Sequence, residues 1–114
     1  MKDSSHLQVV QAQMRKGILE FCILLIISKK SVYASEILTI LSKAKLIVVE
    51  GTLYPLLSRL KREELLSYNW VESKSGPPRK YYKLSKKGKN LLSHLTKTWE
   101  SLSKSIYSLT NTHG

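Results

Sequence analysis

The segment EGTLYPLLSRL, residues 50–60, combines the pattern of a buried helix with a proline. Pro55 lies among the leucines, and proline is tolerated mainly in the first turn of a helix because it has no N–H to donate. The segment therefore predicts a helix that begins near residue 50, or one that bends slightly at Pro55. The leucines at the i, i+3, i+4, i+7 spacing of one buried helix face are Leu53, Leu56, Leu57 and Leu60.

The side of this helix opposite the leucines is small at its N-terminal end and basic toward its middle. Small residues allow close approach to DNA, and the free amides at a helix N-terminus bind phosphate. Arginines pair with phosphate or guanine, and a tyrosine hydroxyl can contact phosphate. An ordinary surface helix with solvated arginines explains this pattern equally well. The candidate DNA-binding residues of this helix are Gly51, Thr52, Tyr54, Pro55, Ser58, Arg59 and Arg62.

Around this segment, hydrophobic periodicity and turn residues predict three helices, a hairpin and a fourth helix. This order is typical of a winged helix-turn-helix, in which the third helix lies in a DNA major groove and the hairpin is the wing. The predicted fold is mainly α (α+β), with a C-terminal dimerisation helix. The predicted elements are helices at about 7–28, 34–44 and 50–64, strands at 65–73 and 80–84 around a turn at 74–79, and a helix at about 85–110. The predicted division is a DNA-binding domain at 1–84 and a dimerisation helix at 85–114.

The predicted hairpin is strongly basic. From Lys74 to Lys89 there are seven basic residues and no acidic one. Such charge runs are usually solvated, but the position of this run directly after a candidate recognition helix favours DNA contact. The alternation of a strand places Lys80 and Tyr81 on opposite faces, so we expect one packed face and one charged face. The candidate DNA-binding residues of the wing are Lys74, Arg79 and Lys80.

The charge of the whole chain supports a polyanionic partner. The 114 residues carry a formal net charge of +11, of which +3 comes from residues 1–50 and +8 from residues 51–114. Double-stranded DNA is the first candidate and an acidic membrane surface the second, although a lysine-rich soluble surface has the same composition. The apolar run at 18–27 is too short to span a bilayer and is interpreted as a buried core helix. With DNA as the preferred candidate, no membrane partner is expected. A single cysteine, Cys22, fits a reducing cytoplasm.

The last predicted helix carries an apolar heptad seam of about two and a half repeats. The seam either packs on its own domain or against the first helix of a second chain, and we favour the second interpretation. A two-fold homodimer would bind a pseudo-palindromic operator. Trp99, in the middle of the seam, either fills the interface or lines an apolar pocket for a planar ligand. The candidate interface residues are Phe21, Leu92, Leu95, Trp99, Leu102 and Ile106.

Two motifs, EGTLYPLLSRLKREELL at 50–66 and RKYYKLSKKGKNLL at 79–92, resemble the PadR family of bacterial transcriptional regulators. The resemblance implies a winged helix-turn-helix dimer of the family's short branch, usually a repressor, that binds DNA through its third helix and wing. It also implies a possible planar hydrophobic effector, bound between the last helices beside the aromatic residue at Trp99.

The chain departs from the family pattern at three places. Tyr33 precedes the second helix, where the family has a Gly-Tyr-Glu-Ile-like stretch, which leaves a DNA contact by this tyrosine open. Glu64 replaces a glycine at the end of the third helix, so we expect a different helix end, with Glu64 turned to solvent. Pro77 and Pro78 predict a stiff wing tip.

Other functions are compatible with parts of this pattern. A winged-helix protein of plasmid or phage type, acting in replication or partition, is the main alternative to a repressor. A winged helix that binds only protein would leave the basic wing without a role. Catalysis is not expected, because the sequence has neither a Cys/His cluster with metal spacing nor a glycine-rich phosphate loop. No cofactor or metal is expected.

Overall fold

The computed structural model describes residues 2–111, and its elements follow the predicted order. The first helix begins five residues earlier than predicted, and the second strand begins four residues earlier. The last three residues of the predicted 85–114 segment, including His113, lie outside the described residues. The elements are α1 (Lys2–Lys29), α2 (Ala34–Lys43), α3 (Glu50–Arg62), β1 (Leu66–Ser73), β2 (Gly76–Leu84) and α4 (Lys86–Asn111).

Helix α3 begins at Glu50, as its proline predicts. Pro55 lies in the second turn, where its ring removes the N–H that would otherwise bond to the carbonyl of Gly51. The carbonyl of Val49 accepts the first helical amides, those of Thr52 and Leu53, at 3.0 and 3.1 Å. The predicted leucine face is confirmed, with Leu56 half-buried and three residues fully buried: Leu53, Leu57 and Leu60.

The hydrophobic core lies where α1, α2, α3 and the base of the hairpin meet. The C-terminal half of α1 contributes one stripe, and the first turns of α4 cover the core from the other side. Since α1, α2 and α3 contribute three or four buried side chains each, β1 one and β2 two, the core depends on all of these elements. The side chains that are essentially inaccessible to solvent are Ile23, Leu24, Ile37, Leu41, Leu53, Leu57, Leu60 and Val32.

The two strands pair antiparallel through a turn of only two residues, Lys74 and Ser75. The prediction of a six-residue turn at 74–79 is therefore wrong. Pro77 and Pro78 belong to β2 and fall where the register shifts, between the Val71–Arg79 and Ser73–Gly76 pairs. A strand tolerates proline there because both strands are edges and the irregular register removes the need for their amides.

The register also corrects the prediction of one packed and one charged wing face. Lys80 pairs with Trp70 and lies on the face of Tyr82, which is buried, whereas Arg79 lies on the face of Tyr81. Basic side chains are thus present on both faces. An isolated bridge between Val32 and Tyr82, with N···O distances of 3.2 and 2.7 Å, holds the wing to the α1–α2 connection.

Helices α2 and α3 end in the same way, each with a left-handed residue that is not glycine. Lys45 has φ 66° and Glu64 has φ 64°. After α3, the amide of Leu65 bonds to the carbonyl of Leu60 and the amide of Glu64 to that of Lys61, which is the Schellman pattern. Glu64 is exposed, as expected, but the expectation of a different helix end is wrong, because Glu64 adopts the left-handed conformation usual for glycine at this position. Because the Glu64 side chain is exposed, it makes little contact that would offset the cost of a backbone conformation that favours glycine.

The corner after α3 packs tightly on the start of α4. Ser85 caps α4, because its hydroxyl accepts the amide of Gly88 at 3.0 Å and donates to the carbonyl of Glu64 at 2.6 Å. Ser85 is therefore the N-cap of α4. Gly88 is buried, and a Cβ there would lie 2.1 Å from the carbonyl oxygen of Leu65. Only glycine allows the two backbones to approach this closely.

Candidate nucleic-acid interface

A groove of about 350 Å³ separates α3 from the wing, and the first residues of α2 close one end of it. It brings together four of the predicted DNA-binding residues, two from α3 and two from β2. Tyr82 lies in this groove, and its burial raises the pKa of its phenol. The lining residues are Tyr33, Ala34, Ser35, Tyr54, Ser58, Pro78, Arg79, Lys80 and Tyr82.

Two wing cations are held against aromatic rings. The guanidinium of Arg79 lies over the ring of Tyr33 at 4.3 Å, and Tyr33 meets Tyr81 edge-on at 5.2 Å. The ammonium of Lys80 lies 4.6 Å from the Tyr68 ring centre. Cation–π contacts of this kind restrict a side chain without neutralising it. Both charges are therefore positioned and remain available to an anionic partner.

Tyr33 was left open by the sequence, and the structure gives it a defined place. It precedes α2, and its amide donates to the carboxylate of Glu36 at 3.1 Å, as in a capping box. Its ring supports Arg79 from across the groove. The sequence signal for this role is weak, because residues 33 and 79 are far apart in the chain.

The remaining predicted residues of α3 lie on its exposed side. Gly51, Thr52, Pro55 and Arg62 are all exposed, and a Cβ on Gly51 would meet no atom within 4 Å. This glycine is therefore not required by the packing of the chain itself. Lys74 is exposed at the hairpin turn.

Arg59 lies differently from the other predicted residues. Its guanidinium bonds to Glu20 of α1 at 2.5 Å and to Glu63 at 2.9 and 3.1 Å. These hydrogen bonds, first that to Glu20 and then that to Glu63, raise the pKa of Arg59. Glu20 was not among the predicted functional residues. Its signal in the sequence is its position one turn before Leu24, inside the buried stripe of α1.

The predicted dimer seam on α4 has a half that packs on the core of its own chain and a half that is exposed. Leu92 and Leu95 are half-buried against the core of their own chain. Beyond them, the exposed fractions are 45% for Trp99, 52% for Leu102 and 59% for Ile106. Phe21 is half-buried, and its ring centre lies 6.4 Å from that of Trp99. The distal half of α4 thus presents an apolar surface without cover from the described chain.

Two further findings concern residues 2–111, the range that the structure describes. No helix in this range is long and apolar enough to cross a membrane. The same residues contain no group of three or more His, Cys, Asp or Glu side chains placed to hold a metal ion.

Three helices, a two-stranded wing and a basic groove between the third helix and the wing define a winged helix-turn-helix protein. The chain belongs to the transcriptional regulator PadR-like family, whose pattern it matches over residues 23–94. It is therefore a DNA-binding transcription regulator.

Solved structures of related proteins share the fold. A PadR-like transcription factor from Bacteroides fragilis is 56% identical, with 88% of this chain and 97% of that chain covered and a TM-score of 0.75. A PadR-like regulator from Bacillus cereus is 40% identical, with 89% and 99% covered and a TM-score of 0.81. A PadR family regulator from Eggerthella lenta is 26% identical, with 100% and 96% covered and a TM-score of 0.85. A protein of uncharacterized function from Lysinibacillus sphaericus is 31% identical over 101 residues, which are 86% of this chain and 93% of that protein.

Proposed function

We propose that the protein is a dimeric, sequence-specific repressor that acts in the cytoplasm and is released from DNA by a small planar hydrophobic ligand. The groove between α3 and the wing carries the proposal, because two supported cations, Arg79 and Lys80, flank the exposed side of a helix that fits a major groove.

In this proposal, the exposed side of α3 enters the major groove with its N-terminal turns nearest the bases. Gly51, Thr52 and Pro55 allow close approach, while Tyr54, Ser58 and Arg62 contact phosphates or base edges. The wing residues Lys74, Arg79 and Lys80 contact the adjacent phosphates. Each neutralised phosphate would add about 0.9 to the slope of log affinity against log salt.

The second part of the proposal is a symmetric homodimer built on α1 and the distal half of α4. The distal half of α4 exposes an apolar strip to water, formed by Trp99, Leu102 and Ile106. Burial of such a strip in an interface stabilises the dimer by roughly 25 cal/mol per Å² of apolar surface. A two-fold partner would cover it with the same strip and with its own α1. In this arrangement, residues 1–84 form the DNA-binding domain, whose α1 also takes part in the interface, and residues 85–114 form the dimerisation segment, although the first turns of α4 also complete the core.

The third part concerns Trp99 as the ligand-binding residue. Its ring is half-exposed beside Phe21, so two such pairs across a two-fold axis would line an apolar slot. Titration with a planar fused-ring aromatic such as acridine should quench Trp99 in a Trp70→Phe background. The absence of quenching would contradict this part alone.

The decisive experiment is fluorescence anisotropy with labelled DNA from upstream of the protein's own gene, beside a shuffled duplex, over a salt series. We expect at least about a thousandfold tighter binding to the upstream duplex, as is usual for specific regulators. Equal, steeply salt-dependent binding to both duplexes would contradict sequence-specific autoregulation.

A further inference from the structure

The ion pair between Glu20 and Arg59 joins the two helices that have different tasks in the proposed function. Glu20 lies on α1, near Phe21 and the apolar surface of the proposed dimer, and Arg59 lies on α3. The pair bridges residues that are 39 positions apart in the chain. A movement of α1 relative to α3 at this level would therefore disturb the contact between these two charged side chains.

The surroundings of Arg59 make it a poor DNA ligand. Two carboxylates, those of Glu20 and Glu63, accept hydrogen bonds from its guanidinium. If Arg59 turned to a phosphate, both carboxylates would lose their counter-charge close to the DNA. Hydrogen bonds between charged groups are stronger than neutral ones, and a partly buried charge left unpaired is unfavourable.

Glu20 lies on the apolar face of α1. Relative to Glu20 at position i, the buried residues Ile23, Leu24 and Ile27 are at i+3, i+4 and i+7. Its side chain is 33% exposed, against 39% for Arg59. The guanidinium of Arg59 on α3 gives this partly buried carboxylate a charged hydrogen-bond partner.

We infer that the ion pair of Glu20 and Arg59 is a tie that fixes α3, the recognition helix, to α1, which takes part in the proposed dimer interface, and that Arg59 is a positioning residue rather than a DNA contact. The inference rests on the proposed function, since it concerns the placement of α3 on a specific site. In a dimer, the tie on each side sets the distance and angle between the two recognition helices. Its effect is on sequence-specific binding and not on the general attraction to phosphate.

The test compares Glu20→Gln, Arg59→Gln, the double variant and Arg62→Gln, with the upstream and shuffled duplexes over a salt series. Each of the first two variants should bind the upstream duplex about fivefold more weakly, which is the effect expected of an ion pair of this exposure. Binding to the shuffled duplex should change less than twofold. The double variant should be no weaker than either single variant, because both remove the same interaction.

The salt slope separates positioning from contact. Arg59→Gln should keep the wild-type slope, whereas Arg62→Gln, on the exposed side of the same helix, should lower it by about 0.9. A simple loss of folded protein would weaken binding to both duplexes equally and would contradict the inference. A lower slope for Arg59→Gln, with unchanged or tighter binding by Glu20→Gln, would overturn it and make Arg59 a phosphate ligand.

Failure of the proposed function gives a different result. If the wild-type protein does not distinguish the two duplexes, the repressor proposal fails, while the slope of Arg59→Gln on either duplex still decides whether Arg59 contacts phosphate. Thermal unfolding of the wild type, Glu20→Gln, Arg59→Gln and the double variant adds a measurement that does not involve DNA. Non-additive shifts in Tm for the double variant would support the tie, and additive shifts would contradict it.

Discussion

The guanidinium carbon of Arg79 lies 4.3 Å from the centre of the Tyr33 ring, although the two residues belong to different elements. Arg79 comes from the wing, and Tyr33 precedes the helix that braces α3. The stack holds a wing cation at the edge of the groove that we assign to DNA. The orientation of the wing is therefore coupled to the helix-turn-helix by a side-chain contact as well as by the bridge between Val32 and Tyr82.

Removal of the Tyr33 ring should weaken DNA binding through Arg79. A cation–π contact of this exposure contributes about 0.5–1 kcal/mol, so Tyr33→Ala should lower operator affinity about two- to fivefold. Tyr33→Phe is the matched control and should bind like the wild type in anisotropy titrations. Equal losses in both variants would instead indicate that the hydroxyl of Tyr33 contacts a phosphate.

A methyl group at position 88 should disturb the packing of α4 on the corner after α3. The added Cβ would lie 2.1 Å from a backbone oxygen of Leu65, which cannot move as a flexible side chain can. Gly88→Ala should lower the free energy of unfolding by about 1–3 kcal/mol in urea titrations. Gly17→Ala, in a helix position with no atom within 4 Å, should raise it by about 0.5–1 kcal/mol. Equal effects of the two substitutions would contradict the close approach at Gly88.

Glycine should stabilise the two left-handed helix ends. Glu64 and Lys45 adopt positive φ, which is unfavourable for residues with a Cβ, while glycine gains chain entropy when unfolded. We expect Glu64→Gly and Lys45→Gly each to raise the free energy of unfolding by about 0.5–1 kcal/mol. Ala44→Gly, one residue earlier at φ −84°, should have the opposite sign in the same thermal unfolding series. A loss of stability in Glu64→Gly would mean that its side chain has a role.

A charge in the exposed half of the α4 seam should prevent dimer formation. Leu102 is 52% exposed in the single chain, and an aspartate at its position would be buried without a partner in the proposed interface. Leu102→Asp should sediment as a monomer at concentrations where the wild type is a dimer. Ser101→Asp adds the same charge away from the seam and should remain dimeric. A dimeric Leu102→Asp protein would contradict the assignment of the interface.

Much of the fold was predictable because it depends on local periodicity. The leucine face of α3 and the start of this helix near residue 50 follow from spacing and from the chemistry of Pro55. The hairpin was predicted from its β-branched and aromatic residues, but its turn was placed wrongly. Proline is typical of turns, but at the edge of a two-stranded sheet it also fits an irregular strand.

The candidate DNA-binding residues were predicted from their chemistry and their position in the sequence. These criteria do not show which of the charged residues are paired within the chain. A helical wheel puts Arg59 on the flank of the exposed side, yet a wheel contains no information on the neighbouring helix. Glu20 becomes its partner only when α1 crosses α3. The same reasoning applies to Tyr33, whose contact with Arg79 depends on how the wing folds back.

The sequence alone determined the order of the elements, the buried leucine face of α3, the basic character of the wing and the family resemblance, since these depend on residues a few positions apart. The tertiary structure decided which charges are free and which are paired, where Gly88 has no room for a side chain, and which half of the α4 seam is used by its own core. Those features depend on the distance between elements far apart in the chain, and that distance is set by the packing of the core.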